Sequence, residues 1–260
     1  MTHIQETKKN PVLFTGAGPG DPDLITVKGM KALNEADLVI YAGSLVPRAV
    51  LKWAKKAECI DSASLHLDEI TGMMKVAYNK GEKVVRLHTG DPSLYGAIFE
   101  QMAELEKEDI PYKVIPGVTA AFAVAAGLGI EYTLPEITQT LILTRMAGRT
   151  PVPESETLER LASHGASMAI YLSITLISKV QKILVKAYGE EFICAIAYKV
   201  SHPEERFICV PLKKLAQTVE KEKIRSQTLI VVSKSLNTDK AGMIYKSKLY
   251  DKSFSHEYRK

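Results

Sequence analysis

Cysteine is scarce in this sequence, and its arrangement argues against a disulfide framework or a zinc site. Cys59, Cys194 and Cys209 are odd in number, widely spaced and set among apolar residues. This pattern is typical of small core side chains in a reducing compartment. No apolar run is long enough to span a bilayer, and Met1 to Asn10 lack the apolar centre of a signal peptide. We therefore expect a soluble, cytoplasmic protein with no membrane partner and with a disordered segment at residues 1–10.

Charge of one sign is not in large excess either, since the formal net charge is +4. An excess of this size permits an acidic ligand without requiring one. No basic stripe interleaved with aromatic residues precedes the tail, so we expect no nucleic-acid partner. The tail, residues 237–260, is polar and basic. It is expected to be disordered or to lie along the surface, and binding of an anionic partner is the less favoured alternative.

The motifs of several large enzyme classes are missing as well. The chain has no Gly-x-Ser-x-Gly elbow, no Cys-x-x-Cys, no His-Glu-x-x-His and no Walker loop. This argues against hydrolysis by a catalytic triad or by a protein-bound zinc ion. His66, Asp68 and Glu69 could form a metal cluster, but a solvated turn before a helix is the favoured interpretation, and we expect no metal site.

What the sequence does contain is a regular alternation of strand and helix patterns. Its 260 residues, 46% of them hydrophobic, suffice for one large domain or two small ones. We predict two α/β domains, residues 11–126 and 127–236, with largely parallel or mixed sheets. The predicted strands are 12–15, 38–41, 84–87, 112–115, 140–144, 168–172, 193–198, 207–210 and 229–232. The predicted helices are 26–36, from about 48, 70–79, 97–107, 120–127, 154–163, 176–188 and 213–222, whereas residues 58–69 are interpreted as a polar segment.

Three rigid turns rich in glycine and proline follow predicted strands, at Gly16 to Pro22, Gly90 to Pro92 and Pro116 to Thr119. In open α/β sheets the carboxyl ends of the strands are where ligands bind. Gly90 would let a ligand approach the backbone closely, and Pro92 would hold the turn rigid. For one isolated turn an ordinary β-to-α connection is the better interpretation, but three such turns favour a binding edge.

The first of these turns does not fit a dinucleotide or ATP. The third glycine of a Gly-x-Gly-x-x-Gly fingerprint would fall on Asp21, and Pro19 and Pro22 lack the N–H groups that a pyrophosphate needs. Rigid backbone in a shaped cleft suits instead a reaction that depends on position more than on acid or base. Methyl transfer from S-adenosylmethionine is such a reaction, because the sulfonium is already an activated leaving group.

The motifs Gly-Ala-Gly-Pro-Gly-Asp-Pro, Thr-Gly-Asp-Pro-x-x-Tyr-Gly and Pro-Gly-Val-Thr-Ala, in this order, resemble those of the tetrapyrrole methyltransferase family, the class III S-adenosylmethionine-dependent enzymes. Tyr41 to Pro47, His88 and Thr144 to Pro153 narrow the resemblance to the corrin branch of that family. The similarity covers roughly residues 11–236. It implies two α/β domains with the active site in the cleft between them, a folded cofactor in that cleft, and a homodimer.

Carried over residue by residue, the resemblance implies a set of site residues. The cofactor would contact Pro19, Thr89, Gly90, Asp91, Leu94, Thr119 and Ala120 from the first domain and Leu172, Val200, Thr228 and Leu229 from the second. An anionic tetrapyrrole, with many carboxylates, would be received by Tyr41, Ser44, Arg48, His88, Arg145, Arg149 and Lys199. A guanidinium fork is suited to holding carboxylates in fixed orientation.

One position departs from the family pattern. The uroporphyrinogen methyltransferases of the family carry an aspartate, proposed as a base, just after the tyrosine of the second strand, and this chain has Ala42 there. The proton acceptor must then come from elsewhere, or the substrate must present an already nucleophilic carbon. The catalytic residue is therefore left unassigned. Another methyltransferase of the same pathway, a nicotinamide oxidoreductase and a non-catalytic tetrapyrrole carrier are the alternative functions.

Overall fold

The computed structural model describes residues 10–238, 247 and 254–255, so the expected disorder of residues 1–9 and most of the basic tail lie outside the described residues. The chain divides into two compact units between Ala123 and Val124. Each unit contains one five-stranded sheet with helices, which confirms the predicted α/β class.

The first sheet is entirely parallel. Its strands are β1 (Val12–Gly16), β2 (Leu38–Tyr41), β3 (Glu58–Asp61), β4 (Val84–His88) and β5 (Tyr112–Ile115). They lie in the order β3-β2-β4-β1-β5. All five carboxyl ends therefore meet at one edge of the sheet.

Helices cover both faces of this sheet, which explains the nearly continuous apolar runs in its central strands. On one face, Val39 and Leu87 pack against α1 (Val27–Glu35) and the 3₁₀ helix Arg48–Trp53. On the other face, Phe14 and Ile40 pack against α2 (Leu67–Asn79) and α3 (Ile98–Glu106). The helix α4 (Ala120–Leu128) follows β5.

The two central strands, β1 and β4, send their loops to opposite faces. The chain leaves β1 through α1 towards β2, whereas it leaves β4 through α3 towards β5. The crevice between two such diverging loops is the usual ligand position in an open α/β sheet. The glycine turns after β1 and β4 thus lie at the switch point of the sheet.

The second unit contains a mixed sheet in the order β6-β7-β10-β8-β9. Its strands are β6 (Leu141–Arg145), β7 (Ser167–Tyr171), β8 (Ile193–Tyr198), β9 (Arg206–Pro211) and β10 (Thr228–Val232), and its helices include α5 (Leu158–Ala162), α6 (Ile177–Tyr188) and α7 (Leu215–Lys221). Strand β10 runs antiparallel to β7 and β8, so its first residue, Thr228, pairs with Tyr198 at the end of β8. The start of β10 and the carboxyl ends of β6, β7 and β8 share one edge.

The interpretation of residues 58–69 as one polar segment was wrong. Glu58–Asp61 forms the edge strand β3, and α2 begins three residues before the predicted helix. Periodicity missed the strand because it has four residues and three of them are exposed. His66 and Glu69 form a capping box at the start of α2. Among the described residues, no helix is both long enough and apolar enough to cross a membrane.

Candidate active site

Three glycines bring the loops after β1, β4 and β5 into backbone contact. A β-carbon added to Gly16 would lie 2.5 Å from the carbonyl oxygen of Gly90, and one added to Gly117 would lie 2.1 Å from the same oxygen. The loops are also joined by hydrogen bonds, because Gly90 N donates to Gly18 O at 2.7 Å and Gly18 N donates to Gly90 O at 3.3 Å. Only glycine at positions 16 and 117 allows this approach.

Gly90 is required for a different reason. Its φ is +60°, and a β-carbon there would meet nothing closer than 3.7 Å. The position thus has room for a side chain but a left-handed backbone that L-residues adopt at a cost. What approaches closely in the structure is the backbone of the neighbouring loops.

Asp91 holds two of these loops together. Its Oδ2 accepts a hydrogen bond from Gly117 N at 2.9 Å, and its Oδ1 accepts one from Ser93 N at 2.8 Å. Both carboxylate oxygens are therefore engaged with backbone. The structure makes Asp91 a determinant of loop shape.

The other cofactor residues expected in the first unit lie in the same three loops. Pro19 and Thr119 are buried, whereas Thr89, Leu94 and Ala120 are half-buried. The loop after β4 also contains two non-glycine residues with left-handed backbone, Tyr95 at φ +57° and Ala97 at φ +49°. Such strain persists only where surrounding contacts hold it, and it concentrates at functional sites.

Arg86 helps to hold the loop after β4 through Gln101, and this role was not predicted from the sequence. The residue is 5% exposed; its Nε donates to Gln101 Oε1 at 2.9 Å and its NH1 donates to Ile40 O at 3.2 Å. Gln101 in turn donates to the carbonyl of Ala97 at 2.8 Å. Burial lowers the pKa of Arg86 to about 10, so the guanidinium stays charged at neutral pH. The only signal in the sequence is a cation inside the apolar run of β4.

His88 differs from its expected role as a cationic partner of a carboxylate. The imidazole is 4% exposed, and its ring stacks on Phe14 with centroids 6.2 Å apart. Burial, with a smaller effect of the Arg86 charge, lowers the pKa of His88 to about 3. The imidazole is thus neutral at physiological pH and offers hydrogen bonding without positive charge. Its buried Nε2 has no hydrogen-bond partner within the described part of the chain.

The loop after β2 exposes two of the three residues expected there. Ser44 and Arg48 are exposed, but Tyr41 is 5% exposed and packs in the core beneath the 3₁₀ helix Arg48–Trp53. The phenol of Tyr41 is therefore a core group. That 3₁₀ helix is joined to the first glycine loop, because Trp53 Nε1 donates to Pro22 O at 3.1 Å. Sequence reasoning did not anticipate this contact.

In the second unit, the expected residues gather at one edge of the sheet. Leu172 follows β7 with φ +51° and is 63% exposed. Val200 and Leu229 are buried, and the hydroxyl of the half-buried Thr228 donates to Ser226 O at 2.7 Å. An exposed leucine in a strained conformation is unusual in a strand-end loop.

The cations at this edge are not equivalent. Arg145 donates to the carbonyls of Thr150 at 3.2 Å and Pro151 at 2.7 Å, so its guanidinium holds its own loop in shape. Lys199 forms an ion pair with Glu204 at 3.1 Å. Arg149, by contrast, is exposed and has no hydrogen bond or ion pair with any described residue. Of these three cations, only Arg149 has a side chain with no partner among the described residues, so its guanidinium is available to a ligand.

The chemistry available is consistent with precise binding of an organic ligand. Across the described residues, no three His, Cys, Asp or Glu side chains form a group that could hold a metal ion. The rigid loop backbone, the neutral His88 and the available guanidinium groups are features that can position a ligand.

Known proteins are similar to this chain over most of its length. The family model described as Tetrapyrrole (Corrin/Porphyrin) Methylases matches residues 11–216. The cobalt-precorrin-4 C(11)-methyltransferase of Methanocaldococcus jannaschii is 51% identical, over 96% of each chain. The precorrin-4 C(11)-methyltransferase of Pseudomonas aeruginosa is 42% identical, over 95% of this chain and 98% of that one.

A solved structure is similar over most of its length. It is the X-ray structure of a cobalamin biosynthetic enzyme, cobalt precorrin-4 methyltransferase, and it superposes with a TM-score of 0.85 at 44% identity. The match covers 88% of this chain and 96% of that one.

Proposed function

The chain belongs to the family of tetrapyrrole methylases, and from this premise we propose that it transfers a methyl group from S-adenosylmethionine to C-11 of precorrin-4 or cobalt-precorrin-4 in corrin (cobalamin) synthesis. The observation that carries the proposal is the identity of 42% and 51% to two enzymes named for this reaction, over at least 95% of this chain. The motifs Tyr41 to Pro47 and Thr144 to Pro153 are consistent with it.

The loops after β1, β4 and β5 support the use of S-adenosylmethionine. Gly16 and Gly117 let the backbones of these loops lie against one another, and Asp91 holds two of the loops together through Gly117. Pro19, Thr89, Gly90, Leu94, Thr119 and Ala120 would hold the methyl donor in the first unit, with Leu172, Val200, Thr228 and Leu229 in the second. When bound, the sulfonium supplies an activated methyl group, so the protein's task is to align the acceptor carbon with it.

Arg48 and Arg149 are the best candidates for receiving the carboxylates of the substrate. Both residues are exposed, and their guanidinium groups make no hydrogen bond or ion pair with the residues that the structure describes. Arg145 would act by shaping the loop that contains Arg149, and Lys199 would first have to leave Glu204. Ser44 would add a hydroxyl, and His88 a neutral hydrogen bond. Any cobalt would arrive chelated in the substrate, and the active protein would be a homodimer.

The proposal is tested first by calorimetric titration with S-adenosylhomocysteine, with NADH and NADPH as controls in the same buffer. Micromolar binding of S-adenosylhomocysteine alone is expected. Incubation with S-adenosylmethionine and each tetrapyrrole, followed by mass and carbon NMR analysis, then identifies the methylated position. Binding of a nicotinamide instead would refute the proposed function, and so would a methyl group at any carbon other than C-11.

A further inference from the structure

The edge strand β3 brings a carboxylate to the loop after β2. Asp61 is the last residue of β3 and is the register partner of Tyr41, the last residue of β2. Its Oδ1 accepts hydrogen bonds from Gly43 N at 3.1 Å and from Ala63 N at 2.9 Å. One carboxylate oxygen therefore anchors the loop that presents Ser44.

Gly43 and Asp61 depend on each other. A β-carbon at position 43 would lie 2.1 Å from Oδ1 and 2.1 Å from Oδ2 of Asp61. The carboxylate thus occupies the space that any other residue at position 43 would need. Because both oxygens lie against the Gly43 backbone, the carboxylate group belongs to the surface of this loop.

Three other aspartates lie in the loops that directly follow the strands of this sheet, and each of them is engaged. Both oxygens of Asp91 accept backbone hydrogen bonds. Asp23 pairs with Lys52 at 2.7 Å. Asp21 accepts from Asp23 N and has a further interaction. Asp61 differs from Asp23 in that no described cation pairs with its carboxylate, and its Oδ2 has no hydrogen-bond or ion-pair partner among the described residues.

Methyl transfer to carbon requires that a proton leave the substrate if no charge is to accumulate. The new C–C bond takes a π-electron pair from the tetrapyrrole, and the electrons of the broken S–CH₃ bond remain on sulfur. The tetrapyrrole thereby gains one positive charge. A proton must then leave it, so that the electrons of the broken N–H or C–H bond restore a neutral conjugated system.

We propose that Asp61 is the proton acceptor of this reaction, with Oδ1 holding the loop after β2 and Oδ2 forming the new O–H bond. The inference rests on the proposed function. Three observations support it. Asp61 lies at the carboxyl edge of the sheet, its Oδ1 is hydrogen-bonded to the loop that contains Ser44, and its Oδ2 is available to the substrate.

Because both anchoring hydrogen bonds go to one oxygen, Asp61→Asn separates the two roles. The amide oxygen can accept from Gly43 and Ala63 as Oδ1 does, while the NH₂ group that replaces Oδ2 cannot take a proton. Asp61→Ala removes both the anchor and the acceptor. Asp37→Asn is the matched control, since Asp37 also accepts a backbone hydrogen bond, from Lys83 N at 2.9 Å, but lies before β2 at the opposite edge.

The experiment measures kcat, KM for each substrate, S-adenosylhomocysteine affinity and melting temperature for the full chain and the three variants. In Asp61→Asn, kcat is expected to fall about 100-fold or more, as is typical when a general base is removed, with affinity and melting temperature unchanged. Asp61→Ala should lose the same activity and also melt earlier, and added formate should restore part of its kcat. Asp37→Asn should retain the kcat of the unmodified chain.

An Asp61→Asn variant with the kcat of the unmodified chain would overturn the proposal and leave Asp61 as a loop anchor. Loss of S-adenosylhomocysteine affinity in proportion to kcat would also overturn it, because the defect would then lie in the fold of the site. If the unmodified chain methylates neither precorrin-4 nor cobalt-precorrin-4, the proposed function fails and the role of Asp61 fails with it.

Discussion

Replacing Gly117 by alanine tests whether backbone contact between the loops builds the binding edge. The new β-carbon would lie 2.1 Å from Gly90 O and 2.8 Å from Gly16 Cα, whereas ordinary contact begins at 3.4 Å. The loops would have to separate by about 1.3 Å at the oxygen, and no flexible side chain is present to absorb the change. Overpacking of this kind costs about 3 kcal/mol at the upper end of its usual range.

For a chain of this size, a loss of about 3 kcal/mol corresponds to a fall in melting temperature of roughly 6 to 12 °C. Trp53, the only tryptophan in the sequence, lies in the first unit, so its fluorescence follows the unfolding of that unit. Because the displaced loops contain the expected cofactor residues, calorimetry should also show weakened binding of S-adenosylhomocysteine.

Two further glycines provide matched controls. Gly90→Ala meets no close atom but must adopt φ +60°, so it tests conformation alone and should cost about 1–2 kcal/mol. Gly72→Ala in α2 meets nothing within 4 Å and should stabilise the helix by about 0.5–1 kcal/mol. If Gly117→Ala binds S-adenosylhomocysteine and melts as the unmodified chain does, the loops tolerate separation and the reasoning is refuted.

Three further predictions concern single side chains. Asp91→Ala should weaken S-adenosylhomocysteine binding, because the hydrogen bond from Gly117 N is lost. Asp91→Asn should weaken binding less, because the amide oxygen still accepts one hydrogen bond. Equal calorimetric affinities of Asp91→Ala and the unmodified chain would contradict this prediction. Because burial holds the pKa of His88 near 3 instead of 6.5, the unfolded chain binds a proton between these values that the folded chain does not. The free energy of unfolding should therefore fall as pH decreases from 6.5 towards 3. In urea unfolding measured at successive pH values, His88→Gln should reduce this dependence of the unfolding free energy on pH. The same dependence in the variant and in the unmodified chain would exclude His88 as its source. Arg149→Ala should raise KM for the tetrapyrrole roughly 10- to 100-fold through the loss of a charged hydrogen bond, with S-adenosylhomocysteine affinity unchanged. The control Arg160→Ala, which removes an exposed ion pair with Glu154, should leave KM unaltered.

Sequence reasoning located most of the strands and the three glycine turns, because both depend on local signals. Strands such as β2 and β8 are short apolar runs bounded by turn residues, and their predicted bounds agree with the structure. The strand β3 was missed because exposed residues at a sheet edge leave no apolar pattern. The role of Arg86 could not be predicted either, since its acceptors Gln101 and Ile40 O lie 15 and 46 residues away.

The sequence by itself determined the family, the α/β alternation and the placement of glycine and proline after the strands, because these are properties of neighbouring residues. Tertiary structure alone decided which charges remain available to a ligand. Charge state and pairing depend on burial and on partners distant in the chain, as the neutral His88 and the Lys199–Glu204 pair show. The same holds for Asp61, whose significance arises only when parallel pairing places β3 beside β2 and brings its carboxylate against Gly43.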